Sequence, residues 1–482
     1  MKRYLCWEES LILKSSGVEV RQHEPQKKNP AFLADDDWEG VHNGYPQLIK
    51  VGDGYRMYYR AIFDARRLES ETKTKENVAI CVAESRDGIT FKKPVIGKHV
   101  YNGSTFNNIV FTRPVLDNFA IFYDTCPSCP NEERFKALCE THLPEGKGTR
   151  LLYYASADGY DFKEMYPIMD VVGTFDSFNV CFWDEVTHEY RLYFRAFHSP
   201  DGTDKLQWTD NIHMTDDIRD VRLATSTDFK TWTTHGRIRF AEGQTDTPLY
   251  TNQILPYGRD TGVYMGFPMR YTDHTEHQSN FVHMPLYDRR RLIIDRFGRE
   301  GTAVTDTLIM TSEDGITFNR RDESFLRPGI ENRYNWWYGS AAVAHGLIET
   351  EGEEYGAPNE LSLFATENYR IKNACFRRYT VRLDGFFSYY AHFSGGTLLT
   401  HPLPIEGDSL TVNFSSAACG GMTVTLCDEN GNELDGYHSD LLIGDSTNRP
   451  VTFEKPLSAL CGRSVSLKIT LSDTHLYSFC LS

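Results

Sequence analysis

The sequence predicts an all-β protein, a five-bladed β-propeller followed by a C-terminal β-sandwich. The main observation is a short phrase, Ser-x-Asp-Gly followed by an aromatic residue, that recurs along the first 370 residues. A self-similar unit built from short strands is typical of a radial array of small sheets. Three close copies and two looser ones lie at Ser85–Phe91, Ser156–Phe162, Ser312–Phe318, Ser226–Trp232 and Thr366–Arg370.

The phrase has the composition of a tight turn between two strands. Glycine accepts the positive φ that such a turn requires, and the aromatic residue after it anchors the returning strand in the core. A single copy indicates only a turn. Repetition in register indicates the architecture.

Two strand-like runs precede each copy of the turn, and the first run is small and apolar, as expected of strands that crowd a central axis. The five pairs of runs are Tyr45–Ile49 with Tyr55–Arg60, Asn108–Phe111 with Phe119–Tyr123, Phe178–Trp183 with Tyr190–Arg195, Tyr250–Leu255 with Val263–Pro268, and Gly339–Ala344 with Glu360–Phe364. We therefore expect a propeller over residues 1–379, in which residues 1–40 form an N-terminal extension.

After about residue 380 the phrase stops and short alternating runs replace it. Examples are Leu410–Phe414, Met422–Leu426 and Val465–Ile469. Strands at short intervals without helical periodicity favour a β-sandwich, which we expect over residues 380–482.

The amino-acid composition limits the kinds of molecule that we expect the protein to bind. The chain has 482 residues and a formal net charge of −16, which disfavours nucleic acid or an anionic membrane as a partner. Eleven cysteines, an odd number in a chain without an apolar leader, fit reduced thiols in the cytoplasm better than a disulfide framework. The 13% aromatic content suits sheets and sites that stack sugar rings, so we expect a small carbohydrate as the partner, with a homo-oligomer left open.

Several segments carry a resemblance to a known group of proteins. Arg382–Ser388, Leu476–Phe479, Phe175–Val180 and Leu249–Gln253 resemble a bacterial branch grouped with the glycoside hydrolases of the invertase and levanase type. Arabinanases, xylosidases, levansucrases and mannoside phosphorylases share the propeller. The resemblance implies a glycoside hydrolase that requires no cofactor.

The sequence also departs from that group. Invertase-like enzymes carry Asn-Asp-Pro-Asn, Arg-Asp-Pro and Glu-Cys phrases in their first three blades, and this chain has Glu39–Gly44, Phe106–Asn108 and Asp176 instead. The known catalytic roles therefore cannot be transferred by position. A phosphorylase that uses inorganic phosphate and a sugar-binding propeller without catalysis remain alternatives to a hydrolase.

Propeller geometry provides an independent way to find the site. Starts of first strands and ends of second strands meet around the mouth of the axis, and glycoside cleavage needs two carboxylates there in different environments. Asp176 and Asp246 are our first candidates. Each carboxylate in the set could instead cap a strand or pair with an arginine. The full set of catalytic candidates is Asp176, Asp246, Asp124, Glu39 and Glu242.

The same two sets of strand ends supply candidate binding residues. Arg60, Arg195 and Arg270 recur at equivalent positions, where they could bind an anionic ligand or, the reading we favour, form internal ion pairs. The remaining substrate-binding candidates are His42, Asn43, Asn108, Asn252, Gln253, Trp337, Tyr338 and His274.

One loop has the spacing of a metal site. Cys126 and Cys129 form a Cys-x2-Cys pair, and Cys139 and His142 follow as a Cys-x2-His pair. Four such ligands suit tetrahedral structural zinc, whereas the alternative is a set of unlinked thiols. Zinc is the one cofactor that the sequence suggests.

Overall fold

The all-β prediction is confirmed. The computed structural model of the protein describes residues 2–7, 9–40, 42–62, 78–113, 118–144, 148–214, 216–274, 281–330, 335–369 and 374–481. Nearly all regular structure in these ranges is β-strand, and one α-helix is present, α1 (Tyr287–Phe297).

Within the described ranges, the strands between residues 26 and 382 form six mainly antiparallel sheets, which we group into five blades because two of the sheets share the fourth blade. In the first three blades the strands follow one another from the axis outwards. Blade one contains β5 (Gly44–Val51), β6 (Gly54–Ile62), β7 (Val78–Ser85) and β8 (Ile109–Thr112). Blade two contains β9 (Ala120–Tyr123), β10 (Phe135–His142), β11 (Thr149–Ser156) and β12 (Lys163–Ile168). Blade three contains β13 (Val180–Asp184), β14 (Glu189–His198), β16 (Ile218–Ser226) and β17 (Thr233–Arg237), with β15 (Asp204–Lys205) beside β14.

Blade four has interrupted strands. Each of its first three strands is split into two segments. The first strand consists of β19 (Leu249–Thr251) and β20 (Leu255–Pro256), the second of β21 (Tyr264–Gly266) and β22 (Met269–Asp273), and the third of β23 (Ala303–Thr307) and β24 (Met310–Ser312). The outermost strand is β25 (Thr317–Arg320). The short strand β18 (Arg239–Phe240) runs parallel to β25. Helix α1 lies in the connection between the second and third strands.

Blade five is completed by the N-terminal part of the chain. It contains β26 (Ile348–Thr350), β27 (Glu360–Glu367) and β28 (Ala374–Arg382), and its outermost strand is β4 (Gln26–Ala34). Because β4 precedes blade one in sequence, this pairing joins the two ends of the propeller.

The remaining strands form the C-terminal β-sandwich. They are β1 (Lys2–Leu5), β2 (Ile12–Ser16), β3 (Val18–Gln22), β29 (Phe387–Ala391), β30 (Gly396–Thr400), β31 (Leu403–Pro404), β32 (Leu410–Cys427), β33 (Glu433–His438), β34 (Asp445–Pro450) and β35 (Ser464–Leu481). The expectation that residues 1–40 extend the propeller therefore holds only for β4. Strands β1, β2 and β3 pair with β35, β30 and β29, a non-local pairing that no repeat in the sequence signals.

The recurring turn connects the third strand of a blade to the fourth. In blade one, Ser85 Oγ accepts a hydrogen bond from the backbone N–H of Gly88 at 2.9 Å, and Asp87 Oδ1 accepts from Ile89 and Thr90. Gly88 has φ 71°, and Phe91 after it is buried. The predicted role of the phrase as a turn with an aromatic anchor is confirmed.

A closed circle of contacts joins the inner strands. Gln47 of blade one donates to the carbonyl of Phe119 at 2.8 Å and accepts from the N–H of Ile121, both in blade two. The circle closes at His345 of blade five, whose backbone bonds Pro46 and Leu48 of blade one at 2.9 and 2.8 Å. The other junctions are Asn118 Nδ2 with Phe175 O, Ser177 Oγ with Tyr250 O, and His345 Nε2 with Ile254 O.

Asp384 joins the sandwich to the propeller. Its buried carboxylate pairs with Arg3 at 3.2 Å and Arg259 at 2.9 Å. It also accepts hydrogen bonds from the hydroxyls of Tyr257 and Ser478, each at 2.7 Å. Because these partners come from both units, Asp384 holds the sandwich against blade four.

We expect the Gln47→Met variant to lower the free energy of unfolding by about 3 kcal/mol. The substitution preserves side-chain volume but leaves the Phe119 carbonyl and the Ile121 N–H buried without partners, and each such group costs roughly 1–3 kcal/mol. Urea denaturation measures the loss. Gln22→Met is the matched control, because the Gln22 amide makes only long bonds of 3.4 Å. We expect the control to change stability by less than about 0.5 kcal/mol, and equal losses in both variants would contradict this role for Gln47.

Candidate functional site

Aromatic residues from four blades meet at one end of the axis. The hydroxyls of Tyr45 in blade one and Tyr250 in blade four are 2.9 Å apart. Tyr45 also stacks on Phe178 of blade three with ring centroids 5.7 Å apart, and Tyr250 contacts Tyr338 of blade five at 5.2 Å. We call Tyr45, Phe178, Tyr250 and Tyr338 the axial cluster. Tyr338, which the sequence suggested as a binding residue, is therefore a member of this cluster.

Asp176 lies beside this cluster. Its side chain is 38% exposed, and its Oδ2 is 3.9 Å from Arg195 Nη2. Burial, together with the negative charge of Asp176, raises the pKa of Tyr250. Asp176 is therefore a partly solvated carboxylate at the rim of the axis.

Two further predicted binding residues also lie near the axis. The Arg60 guanidinium lies over the Tyr45 ring, 4.6 Å from its centroid, and donates to the Tyr369 hydroxyl at 3.2 Å. His42 stacks on Tyr369 with centroids 5.6 Å apart. Both side chains are buried, as are Tyr45, Phe178 and Tyr338 of the axial cluster, whereas Tyr250 is partly exposed.

A cavity of about 480 Å³ opens between blades three and four. Strands β16 and β17 form one side, and the segment from β18 to β19 forms the other. We call it the interblade cavity. Its titratable lining residues are His198, Arg219, Asp220, His235, Arg237, Arg239 and Asp246.

Asp246 is bound to a histidine that a second carboxylate also holds. His198 Nε2 is 2.6 Å from Asp246 Oδ2, and His198 Nδ1 is 2.9 Å from Asp220 Oδ2. Burial alone would lower the pKa of His198, but the hydrogen bonds with Asp220 and Asp246 raise it to about 9. The hydrogen bond from His198 in turn lowers the pKa of Asp246, whose side chain is 47% exposed. Asp246 is therefore held ionised at the cavity surface.

Asp220 is neutralised from its other side. Arg222 donates to both of its oxygens at 2.9 Å and to Asp204 at 2.8 and 2.9 Å. This chain of charges fixes the position of the His198 ring and, through it, the Asp246 carboxylate.

Arg219 connects the interblade cavity with the axial site. The strand register places Arg219 opposite Phe197, on the face of blade three that also carries Arg195. Its guanidinium lies 4.4 Å from the Tyr271 ring centroid and 5.4 Å from that of Phe197. Burial, followed by repulsion from Arg299 and Arg195, lowers the pKa of Arg219 to about 10.

Three of the predicted catalytic carboxylates lie elsewhere. Asp124 is fully buried between blades two and three, where it accepts from Tyr190 at 2.8 Å and from the N–H of Cys126 at 2.9 Å. Glu242 is exposed on the surface between β18 and β19. Glu39 is buried next to the outer strands of blade five, since its partner Tyr59 packs on Phe32 and Phe376. The structure does not bring these three to the rim with Asp176.

Glu39 belongs to a small acidic group around a lysine. Among the described residues, Asp35, Asp36 and Glu39 are the one group of side chains close enough to share a metal ion. Lys93 already lies between them, with Nζ at 2.9, 2.7 and 2.9 Å from the three carboxylates. The ammonium group supplies the charge that a metal would bring.

Most other predicted binding residues have structural contacts. Arg270 forms an ion pair with Asp306, so for this arginine the internal ion pair was the better reading. Trp337 is buried under α1, with the Arg290 guanidinium 4.5 Å from its ring. Asn43, Asn108, Asn252 and Gln253 are buried and hydrogen-bonded to backbone or neighbouring side chains, and the His274 N–H donates to Thr302 O.

The predicted zinc ligands do not converge. Cys126 and Cys129 pack in the core between blades two and three, whereas Cys139 faces the core between blades one and two. His142 is exposed at the end of β10. Because successive side chains of a strand point to opposite faces, the spacing that suggested zinc places these residues on both sides of one blade.

Sequence reasoning missed His198, Arg219 and Asp220, which line the interblade cavity. The prediction placed the end of the second strand of blade three at Arg195, whereas β14 continues to His198, and Arg219 and Asp220 lie on the third strand. A signal was present: Arg219, Asp220 and Arg222 fall within a strand whose other residues are mostly apolar. Buried charges in a strand indicate either a network of ion pairs or a site.

Within the described residues, no helix is both long and apolar enough to span a membrane. No protein-family model matches the sequence, and no curated protein matches it.

The solved structures similar to this chain include glycoside hydrolases and a sugar deacetylase. One glycoside hydrolase is 12% identical with a TM-score of 0.46, covering 74% of this chain and 92% of its own. An N-acetylgalactosamine deacetylase from F. plautii is 11% identical with a TM-score of 0.45, covering 75% and 94%. A GH32 β-fructofuranosidase from Bombyx mori is 9% identical with a TM-score of 0.40, covering 95% and 93%. Similarity at this level does not extend to individual residues or their chemistry.

We expect the His198→Gln variant to lose a pH dependence of stability that the wild type shows. The raised pKa of His198 means that folding favours the protonated ring, so its stabilisation is complete below about pH 6.5 and is lost as the pH rises through about 9. Because solvent reaches Asp246, we expect a loss of roughly 2 kcal/mol rather than the full linkage value. Urea midpoints at pH 6.5 and 9.5 measure it. His235→Gln, at an exposed position of the same cavity, should keep the wild-type profile, and an unchanged profile in His198→Gln would contradict the assignment.

Proposed function

We propose that this protein is a carbohydrate-active enzyme, specifically a glycoside hydrolase that uses Asp176 and Asp246 as its two carboxylates. One observation carries the proposal. Both carboxylates are partly exposed, at 38% and 47%, and a short chain of contacts connects them. Asp176 lies 3.9 Å from Arg195, the guanidinium groups of Arg195 and Arg219 both pack on Phe197, and Arg219 and Asp246 line the same cavity. The buried Asp124 and Glu39 are already neutralised by structural partners.

The environment of Asp246 suits the ionised carboxylate of the pair. A protonated His198 held by Asp220 keeps Asp246 deprotonated, as a nucleophile or a general base requires. The same histidine holds the carboxylate in one orientation, which reduces the cost of positioning it at the transition state.

Asp176 then takes the role of the acid. It lies beside the axial cluster, and its Oδ2 is 3.9 Å from Arg195 Nη2. Proton donation to the leaving oxygen would follow from this position.

The axial cluster suits the binding of a sugar ring. Tyrosine presents an apolar face that packs against the C–H groups of a sugar and a hydroxyl that hydrogen-bonds its oxygens. Tyr250 is the partly exposed member of the cluster near Asp176, and the buried Tyr45 and Tyr338 hold its ring and hydroxyl in place. This arrangement supports a carbohydrate substrate rather than an extended peptide or a nucleic acid.

A phosphorylase is the second candidate. The observation that favours it is Arg219, a buried guanidinium beside Arg195, because an enzyme that uses inorganic phosphate as the attacking group needs cations near the cleaved bond. The third alternative, a binding propeller without catalysis, predicts that substitution of either carboxylate leaves all measured properties except ligand affinity unchanged.

We expect Asp246→Asn and Asp176→Asn each to lower kcat by about 10³-fold, because each substitution removes a proton-transferring or nucleophilic group. The substrate is found by screening aryl glycosides and short oligosaccharides with the wild type, with and without phosphate. Strict dependence of product formation on phosphate would identify the phosphorylase.

Glu242→Gln is the matched control for these two variants. It also removes one acidic charge from the region before blade four, but at an exposed position, and we expect wild-type kcat. If Asp176→Asn and Asp246→Asn both turn over substrate as fast as this control, the two carboxylates are not the catalytic pair.

A further inference from the structure

Arg219 is a buried charge without a compensating partner. Its side chain is 1% exposed, and its Nε and Nη2 atoms have no hydrogen-bond partner among the described residues. No carboxylate in the described part of the chain lies within ion-pair distance of it. By contrast, Arg222 on the same strand has two carboxylate partners.

The aromatic rings on both sides do not account for this burial. Contacts of a guanidinium with Tyr271 and Phe197 stabilise it by less than the desolvation of an isolated ion costs. Arg195 and Arg299 add further positive charge close by, although Arg195 itself lies 3.9 Å from Asp176. Within the described residues, no group compensates the charge of Arg219.

The interblade cavity, which Arg219 lines, is positive although the protein is strongly acidic. Arg219, Arg237, Arg239 and His198 line the cavity together with Asp220 and Asp246, and the net charge of the whole chain is −16. Arg222 pairs with Asp220, and Arg237 lies 3.4 Å from Asp204. Arg219 and Arg239 have no carboxylate partner among the described residues, so their charges remain available to a ligand.

We propose that the interblade cavity binds an oxyanion, and that Arg219 is its main recognition residue. Planar carboxylates, sulfate and phosphate all match the donor geometry of guanidinium groups. The oxyanion has two sources under the proposed function, on which this inference rests: an acidic group on the sugar substrate, such as a uronate carboxylate or a sulfate ester, or free inorganic phosphate. The Arg219 guanidinium can recognise either source, because both present negatively charged oxygens that accept its hydrogen bonds.

The test uses the full chain and compares affinities with and without the guanidinium. Calorimetry measures binding of inorganic phosphate, inorganic sulfate, glucuronate and, as the neutral sugar, glucose. We expect oxyanions to bind and Arg219→Met to weaken them at least about 10-fold, the effect of losing a charge-assisted hydrogen bond. If glucuronate binds more tightly than phosphate, the ligand is an acidic sugar. If phosphate binds more tightly than glucuronate, the ligand is the inorganic ion.

A second readout separates a binding role from a structural one. If Arg219 is maintained for a ligand, Arg219→Met removes an uncompensated buried charge and raises the melting temperature of the ligand-free protein by about 2 °C. Arg270→Met is the matched control, since Arg270 is paired with Asp306. We expect that variant to lower the melting temperature and to keep oxyanion affinity.

The inference is overturned if Arg219→Met binds oxyanions as tightly as the wild type, or if no oxyanion binds the wild type more tightly than glucose. It is also overturned if Arg219→Met destabilises the protein as Arg270→Met does. Because these measurements need no turnover, they are independent of the kinetic test. Lost turnover in Asp246→Asn with unchanged oxyanion affinity would support both proposals, whereas oxyanion binding without any turnover would remove only the hydrolase.

Discussion

The circle of contacts between the inner strands is the constraint on which the rest of the structure depends. Each blade is a small sheet that cannot bury both of its faces alone, so it is stable only between two neighbours. Gln47 bonds blade two through its side chain, and His345 bonds blade one through its backbone, so the first and last blades are joined at the axis as well as at the outer strand β4. Opening the circle would expose two apolar blade faces and leave buried backbone groups without partners.

Because the circle of blades is closed, residues that are far apart in the sequence lie close together at the axis. Asp176 follows blade two, Tyr250 begins blade four and Tyr338 precedes blade five, and the rings of Tyr250 and Tyr338 are in contact at the axis. The same geometry separates groups that are close in sequence, because a blade presents one face to each neighbour. Cys126 and Cys139 contribute to different interblade cores for that reason. A short spacing in sequence therefore indicates a shared site only where both residues lie on one face.

The acidic residues discussed above fall into two groups, those that are buried and those that are partly exposed to solvent. Asp124, Glu39 and Asp384 are buried, and each has hydrogen bonds or cations that compensate the cost of burying a carboxylate. Asp176 and Asp246 keep contact with solvent, and each has a positively charged group nearby, Arg195 or His198. Arg219 shows the reverse situation, a buried cation without an acidic partner in the described part of the chain. The first group holds blades and units together, whereas the last three residues are the ones on which the proposed function and the proposed oxyanion site rest.

The sequence alone determined the all-β class of fold and the recurring turns, because these follow from local properties. Glycine at positive φ, an aspartate that caps its own turn and an aromatic anchor act within about seven residues, and their repetition is visible without coordinates. Only the tertiary structure showed that residues 2–22 complete the C-terminal sheet, that Asp124 and Glu39 have structural partners, and that His198 and Arg219 line a cavity. Each of these depends on which residue lies opposite which across separate strands, and pairing between distant segments leaves no periodic signal in a single sequence.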